Sequence, residues 1–442
     1  MSSPVMNPIK FNYKFAPFSD VHTKVYISII LGQIACGYAL GISGPALTTA
    51  ASVIPISNSW MGIIGAGSLL GLAGSALIGR LGDRIGRARL LMVNMYIFTL
   101  LSLLQLTTTN LALLLVLRIL IGLMMAVDYT VGNALLVEWL PTGEDSKRQS
   151  RLLIYWTLGF IIANIVGSMM DTSPQLWQWT LASSAVVGGV TAIFRTLVKL
   201  PASPAWLASQ GKMRAAEATI KLNLGFKWTL PKKMKKREKE VGEVSWFDLF
   251  SKQYRRETLV GSIFYTCQAF TFFGISTFLP LLITGMGIKN PDVSTYLYDA
   301  AMLSGVLIGT FFFNKVPRRF FLISGFVLAA AALITLVLLP NIAVPLKLTI
   351  FVIFAVGLSA HMVLDYTYTS ELFDVKIRAT GVGTCITASR FGAAAGTFLL
   401  PVLANLGGAS LTMTVCAVPM VLGALVCFFF APETHVLTRT SK

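Results

Sequence analysis

The chain has 442 residues, 55% of them hydrophobic and only 12% charged. A soluble chain of this size carries about 25% charge to cover its surface, so a water-soluble globule is excluded. A formal charge of +17 would point to nucleic acid if it were clustered on a soluble surface, but its distribution along the chain gives it another origin.

The apolar residues come in blocks of about twenty, the length a helix needs to cross about 30 Å of hydrocarbon. Backbone groups in lipid must bond within their own segment, so blocks this long predict helices. A transmembrane barrel would show alternating segments of about ten residues. The predicted spans are 25–47, 60–79, 89–108, 111–138, 152–170, 176–198, 258–284, 295–313, 319–339, 346–370, 377–403 and 409–431. The first twenty residues hold no long apolar core and no small-residue cleavage site, so no removable signal peptide is expected.

Lys and Arg fall on alternate loops. One side collects Arg80, Arg84, Arg87 and Arg89, then Lys147, Arg148 and Arg151, and later Lys315, Arg318 and Arg319. The other side holds only Lys289 and Lys347. Such asymmetry marks the cytoplasmic face, so a multi-pass protein of the inner (plasma) membrane is expected, with both termini in the cytoplasm. The basic charge is a topology signal, and no nucleic-acid partner is expected.

The expected fold class is an all-α integral membrane protein of twelve helices in two pseudo-symmetric six-helix bundles. Residues 1–198 would form the first bundle, 199–257 a cytoplasmic linker, and 258–442 the second bundle and tail. The linker carries a basic run, Lys232, Lys233, Lys235, Lys236, Arg237 and Lys239, read as a solvated or headgroup-facing surface. Ala215–Leu222 predicts a short amphipathic helix on the inner membrane face. The halves echo each other: Asp128-Tyr129-Thr130 in the fourth span and Asp365-Tyr366-Thr367 in the tenth are followed by Glu138 and Glu371. Parallel repeats of this kind are the plan of two-bundle secondary transporters, with the site between the bundles.

The loop after the second span reads Gly79-Arg80-Leu81-Gly82-Asp83-Arg84-Ile85-Gly86-Arg87-Ala88-Arg89. Gly79 and Gly86 would permit a tight turn, and Asp83 could cap a helix start or meet an arginine. This segment resembles the signature of the major facilitator superfamily; its counterpart, Thr310 to Arg319, is degenerate, with Asn314 near the expected acid. Arg118-Ile119-Leu120-Ile121-Gly122, Glu138-Trp139-Leu140-Pro141 with Arg148, and Glu371 to Arg378 with Gly381 resemble motifs of the sugar porters and metabolite–proton symporters. So do Pro201-Ala202-Ser203-Pro204-Ala205-Trp206 and Pro432-Glu433-Thr434, although Ala202 and Ala205 replace a usual acid and base. The resemblance implies a cytoplasmic gate built from Gly79, Asp83, Arg84, Gly86, Arg87, Glu138, Arg148, Glu371 and Arg378. One departure matters: Ala39, after Gly37-Tyr38, stands where many relatives carry an aspartate. The fifth span has no proline between Gly159 and Gly167, unlike drug–proton antiporters, which weakens an export reading.

Charges inside spans are costly and are functional candidates by default. Asp128 is read as a proton carrier or substrate contact, or else as a packing carboxylate; the functional reading is preferred because nothing in its adjacent turns can neutralise it. Since Arg390 could keep Asp365 ionised, Asp128 is the first choice for the proton carrier. His361 and Asp365, at i and i+4, would share a helix face and touch, either as a proton relay or as a pair that fixes the bundle. Arg390 would offset Asp365 or attract an anionic substrate. Arg118 lies about 15 Å along the helix from Asp128, too far for direct pairing, and is read as a clamp onto carbonyls or another span. Gln33, Tyr38, Asn164, Tyr265 and Gln268 are substrate-binding candidates, and Gln268 falls where sugar porters carry a glutamine.

Cys36, Cys267, Cys385, Cys416 and Cys427 lie in apolar blocks without metal-ligand spacing and are read as buried small hydrophobes. No metal and no cofactor are expected, and the lack of a P-loop disfavours ATP-driven transport. The expected function is secondary active transport, with proton-linked uptake of a small organic metabolite (an organic acid or sugar-like) by alternating access. A facilitator without coupling, an exporter, and a non-transporting membrane sensor are the alternatives, while a membrane enzyme lacks a catalytic constellation. The expected partners are the small-molecule substrate, protons and the lipid bilayer, with the protein a monomer.

Overall fold

The structure, a computed structural model, describes residues 11–434 except 171–173, 232–245, 289–290, 314 and 374–376. The basic run from Lys232 to Lys239, Lys289 and Asn314 therefore lie outside the described residues, as do the side chains of Asp83 and Arg378.

Among the described residues, eleven helices are long and apolar enough to cross a membrane. Spans one to six are Asp20–Ala51, Asn58–Gly82, Arg87–Thr107, Leu111–Trp139, Lys147–Met170 and Trp177–Val198. Spans seven to ten are Arg255–Thr277, Val293–Phe312, Arg318–Leu338 and Val344–His361, and the last helix is Thr380–Phe430. That helix is two spans, because Gly407 and Gly408 leave helical geometry, Gly408 with a φ of 63°. The fold is thus the expected twelve-helix, two-bundle arrangement.

The helices carry apolar residues on their outer faces: Leu100, Val186, Leu338 and Phe428 are all exposed. Such a belt suits lipid and would be an aggregation surface in water. Between helices the driving force is close packing, which small residues permit. Gly71 lies against the Ile119 carbonyl and Gly122 against the Ser68 carbonyl, so the second and fourth spans meet backbone to backbone. A side chain at either glycine would strike a carbonyl oxygen.

Several spans are irregular, three of them next to the polar residues inside the membrane. The first bends at Ile42, between helices Asp20–Gly41 and Ser43–Ala51. The fourth contains a π-helical stretch, Asp128–Gly132. The tenth ends at His361, and after Met362 and Val363 the chain resumes as helix Leu364–Leu372. The Asp-Tyr-Thr repeat thus falls at a break in regular geometry in both halves, a placement frequent at functional sites.

Between the bundles, helices Pro204–Ser209 and Met213–Leu224 pack on the segment before the first span. Pro204 occupies the first turn, where its missing N–H costs nothing, and the Ser203 hydroxyl accepts from Trp206 N–H at 3.0 Å. Tyr13 is buried among Leu207, Ala216, Ile220 and Leu230, and its hydroxyl donates to the Glu138 carbonyl at 3.0 Å. That burial pushes the phenol pKa well above its usual range.

Candidate functional site: a cavity between the bundles

A cavity of about 800 Å³, its mouth included, lies between the bundles. The first bundle lines it with Gln33, Tyr129, Asn133, Gln149 and Trp156, and the second with Tyr265, Gln268, Phe273, Asp365 and Arg390. Its mouth faces the end that carries both described termini, because Gln149 and Ser150 open the fifth span there and Tyr13 and Thr434 bond at the same end.

Opposite the mouth the cavity is stopped by a cluster of aromatic rings. Trp156 and Phe160 have centroids 5.6 Å apart, Trp156 and Phe272 6.0 Å, Trp156 and Phe273 6.1 Å, and Phe160 and Phe272 6.1 Å. The plug draws on both bundles, from the fifth and seventh spans. Beyond it the bundles touch: Gly44 lies against the Thr277 carbonyl and Gly62 against the Phe398 carbonyl. Trp156, Phe160 and Asn164 stand at i, i+4 and i+8, so they follow one helix face away from the cavity. Asn164 Nδ2 bonds both carboxylate oxygens of Asp299, at 2.9 and 3.1 Å, joining the fifth and eighth spans across the seam.

Of the substrate candidates, Gln33, Tyr265, Gln268 and Arg390 line the cavity. Two do not: Tyr38 bonds the Ser183 hydroxyl at 2.7 Å, and Asn164 is held by Asp299. Gln33 Nε2 is a buried donor without a partner among the described residues, the state expected of a group that meets a ligand. Arg390 Nη2 donates to Tyr265 Oη at 3.2 Å, and its guanidinium carbon lies 5.2 Å from the Tyr129 ring centre. Gln268 turns its amide nitrogen to Asp365, while its oxygen accepts the Met362 N–H at 3.1 Å. Amides, a phenol, a guanidinium and a carboxylate thus face one another beside an aromatic wall. That set can bind a small solute with several hydrogen-bonding groups and one apolar face.

The coupling candidates separate. Asp365 is on the cavity wall. Asp128 is fully buried behind it and pairs with Arg195 of the sixth span. Asn94 Nδ2 donates to Asp128 Oδ2 at 2.6 Å, and Arg195 Nη1 reaches Asn94 Oδ1 at 3.1 Å and the Leu91 carbonyl at 3.0 Å. Gly32 leaves room for this network, since a Cβ there would collide with the Asp128 carboxylate and the Arg195 guanidinium. The adjacent turns of the fourth span supply no cation to Asp128, as expected, but the sixth span does.

The expected contact between His361 and Asp365 is not formed. The helix break at Met362–Val363 turns the imidazole away, toward Phe326 at 4.9 Å between ring centres, with Nδ1 on the Gly357 carbonyl at 3.1 Å. Asp365 turns instead to Gln268. Four-residue spacing puts side chains on one face only while the helix is continuous.

At the terminus-bearing end Arg87 pairs with Glu138, Arg148 with Glu144 at 3.0 Å and Arg318 with Glu371 at 3.4 Å. These three pairs each lie within one bundle. Arg148 also stacks on Phe18, 3.9 Å from its ring centre. Gly86 makes the turn with a φ of 107°, against the Trp206 ring. Gly79, expected to share that turn, sits inside helix Ser75–Ile85 with open space around it, and Arg84 is exposed. Asp83 lies within the same helix, and the N-cap of the next one is Gly86.

A family model for the Major Facilitator Superfamily matches residues 29–384. The chain is 31% identical over 425 residues to the inner membrane metabolite transport protein YgcS of Escherichia coli, covering 95% of this chain and 94% of that protein. The glucose transporter GlcP of Staphylococcus epidermidis is 25% identical over 93% of this chain and 94% of its own length. A structure of the xylose transporter XylE from E. coli superposes with a TM-score of 0.75 over 94% of this chain and 99% of that one, at 18% identity. The chain belongs to the major facilitator superfamily.

Membership makes the chain a multi-pass membrane transporter and not an enzyme, and it frames the departure at Ala39. In this facilitator Arg118 stands beside that position: its Nη2 donates to the Ala39 carbonyl at 3.2 Å, and its own carbonyl accepts from Ser68 Oγ at 3.1 Å. Three functional candidates of this facilitator escaped sequence reasoning. Arg195, three residues from the end of an apolar span, reads as a residue that snorkels to the headgroups. Asn94 is one polar residue in an apolar block. Asp299, seven residues into its span, carried a signal that could have been used, an intramembrane acid without a nearby base.

Proposed function

We propose that this facilitator imports a small organic metabolite together with protons, by rocking its two bundles about the central cavity. The observation that carries the reading is the shared wall: the two bundles supply Gln33 and Trp156 on one side and Gln268, Asp365 and Arg390 on the other. A solute bound there touches both bundles, so its binding energy can act on their relative position. The loops rich in Lys and Arg support a cytoplasmic cavity mouth and cytoplasmic termini, and the protein is read as a monomer of the inner membrane. The wall suits a sugar-like solute or a small organic acid, in keeping with relatives named for glucose and xylose transport.

Asp365 is the coupling acid favoured by this geometry. It lines the cavity beside neutral Gln268, within the electrostatic reach of Arg390, and the cavity connects it to solvent. Asp128 is instead neutralised by Arg195, which assigns it to holding spans three, four and six together.

Purified protein in liposomes, screened with labelled hexoses, pentoses and small carboxylates, tests the reading. Accumulation above equilibrium when the outside is acidified, abolished by a protonophore, is the expected result. A second reading, facilitation without protons, is favoured by the missing acid at Ala39. It predicts equilibration of the same solute with no response to the gradient. Cysteine at Ser146 should be shielded from an impermeant thiol reagent outside intact cells, while cysteine at Ser57 should be labelled. The reverse pattern sinks the orientation.

A further inference from the structure

The seam beyond the aromatic plug contains an ionisable group that substrate binding does not use. Asp299 is 2% exposed, and both its oxygens are held by one neutral carboxamide, Asn164 Nδ2. Among the described residues, no ion pair reaches it. This differs from Asp128, which is buried as deeply but carries its own guanidinium.

Among the described residues, the groups around Asp299 do not supply a counter-charge. The eighth span packs on the fifth, the tenth and the helix Leu279–Gly285. On the fifth span the cations and the tyrosine, Lys147, Arg148, Arg151 and Tyr155, lie nine or more residues before Asn164, about 13 Å or more along the helix. On the tenth, Lys347 donates to the Met286 carbonyl at 3.2 Å, and His361 sits at the far end on Gly357. Leu279–Gly285 has no titratable residue. On the eighth span itself, Tyr298 shares a 2.6 Å hydrogen bond with Ser276, and Tyr296 is exposed.

A carboxylate without a cation is costly to enclose in a low-dielectric seam, whereas the neutral acid is enclosed cheaply. Opening the seam separates the fifth from the eighth span and returns Asp299 to water, where it ionises readily. We propose that Asp299 is a gate residue of the transport cycle, closing the terminus-free seam when it carries a proton and releasing it when ionised. The bond to Asn164 is the latch. This rests on the alternating-access reading above.

The proton on this latch is not the one that drives transport. The rings of Trp156, Phe160, Phe272 and Phe273 separate Asp299 from the cavity, so its proton is bound from, and returned to, the terminus-free side. Asp299 therefore sets how long the seam stays shut at a given pH on that side, and the cavity acid is left to carry the coupled proton. The sign follows from linkage: the closed state holds one more proton, so the closed population rises as pH falls, by at most about tenfold per pH unit.

Spin labels at Ser57 and Asn341, exposed positions on the two bundles at the terminus-free end, report the seam distance by pulsed electron resonance in nanodiscs. In the wild type, the short distance should dominate at pH 5 and a longer one should grow toward pH 8. Asp299→Asn should remain short throughout, because it is neutral at every pH. Asn164→Asp should steepen the response, because a second proton then accompanies closure. It also serves if Asp299→Asn is not recovered folded. Two distances whose ratio ignores pH in the wild type, or an undiminished response in Asp299→Asn, overturn the proposal alone. An Asn164→Asp slope equal to that of the wild type does the same. A single distance in every variant and buffer overturns alternating access, and the proposal with it.

Discussion

Arg118 Nη2 donates to the carbonyl oxygen of Ala39, 3.2 Å away, while Nε and Nη1 of the same guanidinium have no partner among the described residues. The arginine thus occupies the neighbourhood of the absent acid and is satisfied only through the backbone. Replacing a poorly compensated buried charge by a hydrophobe of similar size is often neutral or stabilising. Arg118→Met should therefore keep the melting temperature of the detergent-solubilised protein, with a change under about 1 kcal/mol. A fall of many degrees would show that the clamp onto the first span is essential to the fold.

The opposite is expected at Asp128. Asp128→Asn strands the Arg195 guanidinium, and breaking a buried pair from one side costs about 3–5 kcal/mol. The double change Asp128→Asn with Arg195→Gln should recover a large part of that loss, giving a strong coupling energy in a thermal-shift cycle. Additive losses would contradict the network drawn around Asn94. Substrate accumulation in whichever variant folds should still respond to a pH gradient, because the proposed coupling acid is Asp365.

On the cavity wall the effects should appear in transport and not in stability. Gln268→Ala removes the amide beside Asp365, and loss of one neutral hydrogen bond costs about 0.5–1.5 kcal/mol, or about two- to tenfold in KM. Arg390→Lys keeps the charge but loses the planar fork that reaches Tyr265 and lies over Tyr129, and the two cations are not interchangeable in such a setting. A larger rise in KM, about ten- to a hundredfold, is expected there from the loss of charged hydrogen bonds. Both are read from initial uptake rates over a range of substrate concentrations. An unchanged KM in both would move the binding site elsewhere.

Gly86 is the turn residue that cannot be exchanged. Its φ of 107° is strained for any L side chain, and a Cβ there would come 2.9 Å from the Trp206 ring. Gly86→Ala should cost about 1–3 kcal/mol and show as a lower melting temperature. Gly79→Ala, inside a helix and facing open space, should be neutral or slightly stabilising.

The spans, the twelve-helix plan and even the break near Gly407 are legible in the sequence, because apolar length and a glycine pair report directly on what lipid and helix geometry require. The cavity is legible in part. Gln33, Gln268 and Arg390 stand out as polar residues in apolar blocks, yet Tyr38 and Asn164 stand out in the same way and bond elsewhere. Which neighbour a polar group meets depends on how helices distant in sequence pack, and spacing along one helix carries no such information. That is why Asp128 reads as isolated although Arg195 lies 67 residues on. Local breaks are also hidden: His361 and Asp365 have the spacing of partners, and only the interruption at Met362–Val363 separates them.

The π-helical stretch at Asp128–Gly132 has a consequence for how the fourth span ages under mutation. A wide turn of this kind holds one residue more than a regular helix would, so the part of the span after it is rotated by about 100° relative to the part before. With the extra residue in place, Asp128 points at Arg195 while Glu138, beyond it, points at Arg87. Deleting one residue within it, for example Val131, would remove that extra residue, let the helix regularise at little local cost and leave Glu138 facing its partner. A single-residue deletion in the regular helix between this stretch and Glu138 would instead turn Glu138 by about 100° away from Arg87. This short stretch is the span's phase-setting joint, and deletions scanned along the span should be tolerated within it and rejected outside it.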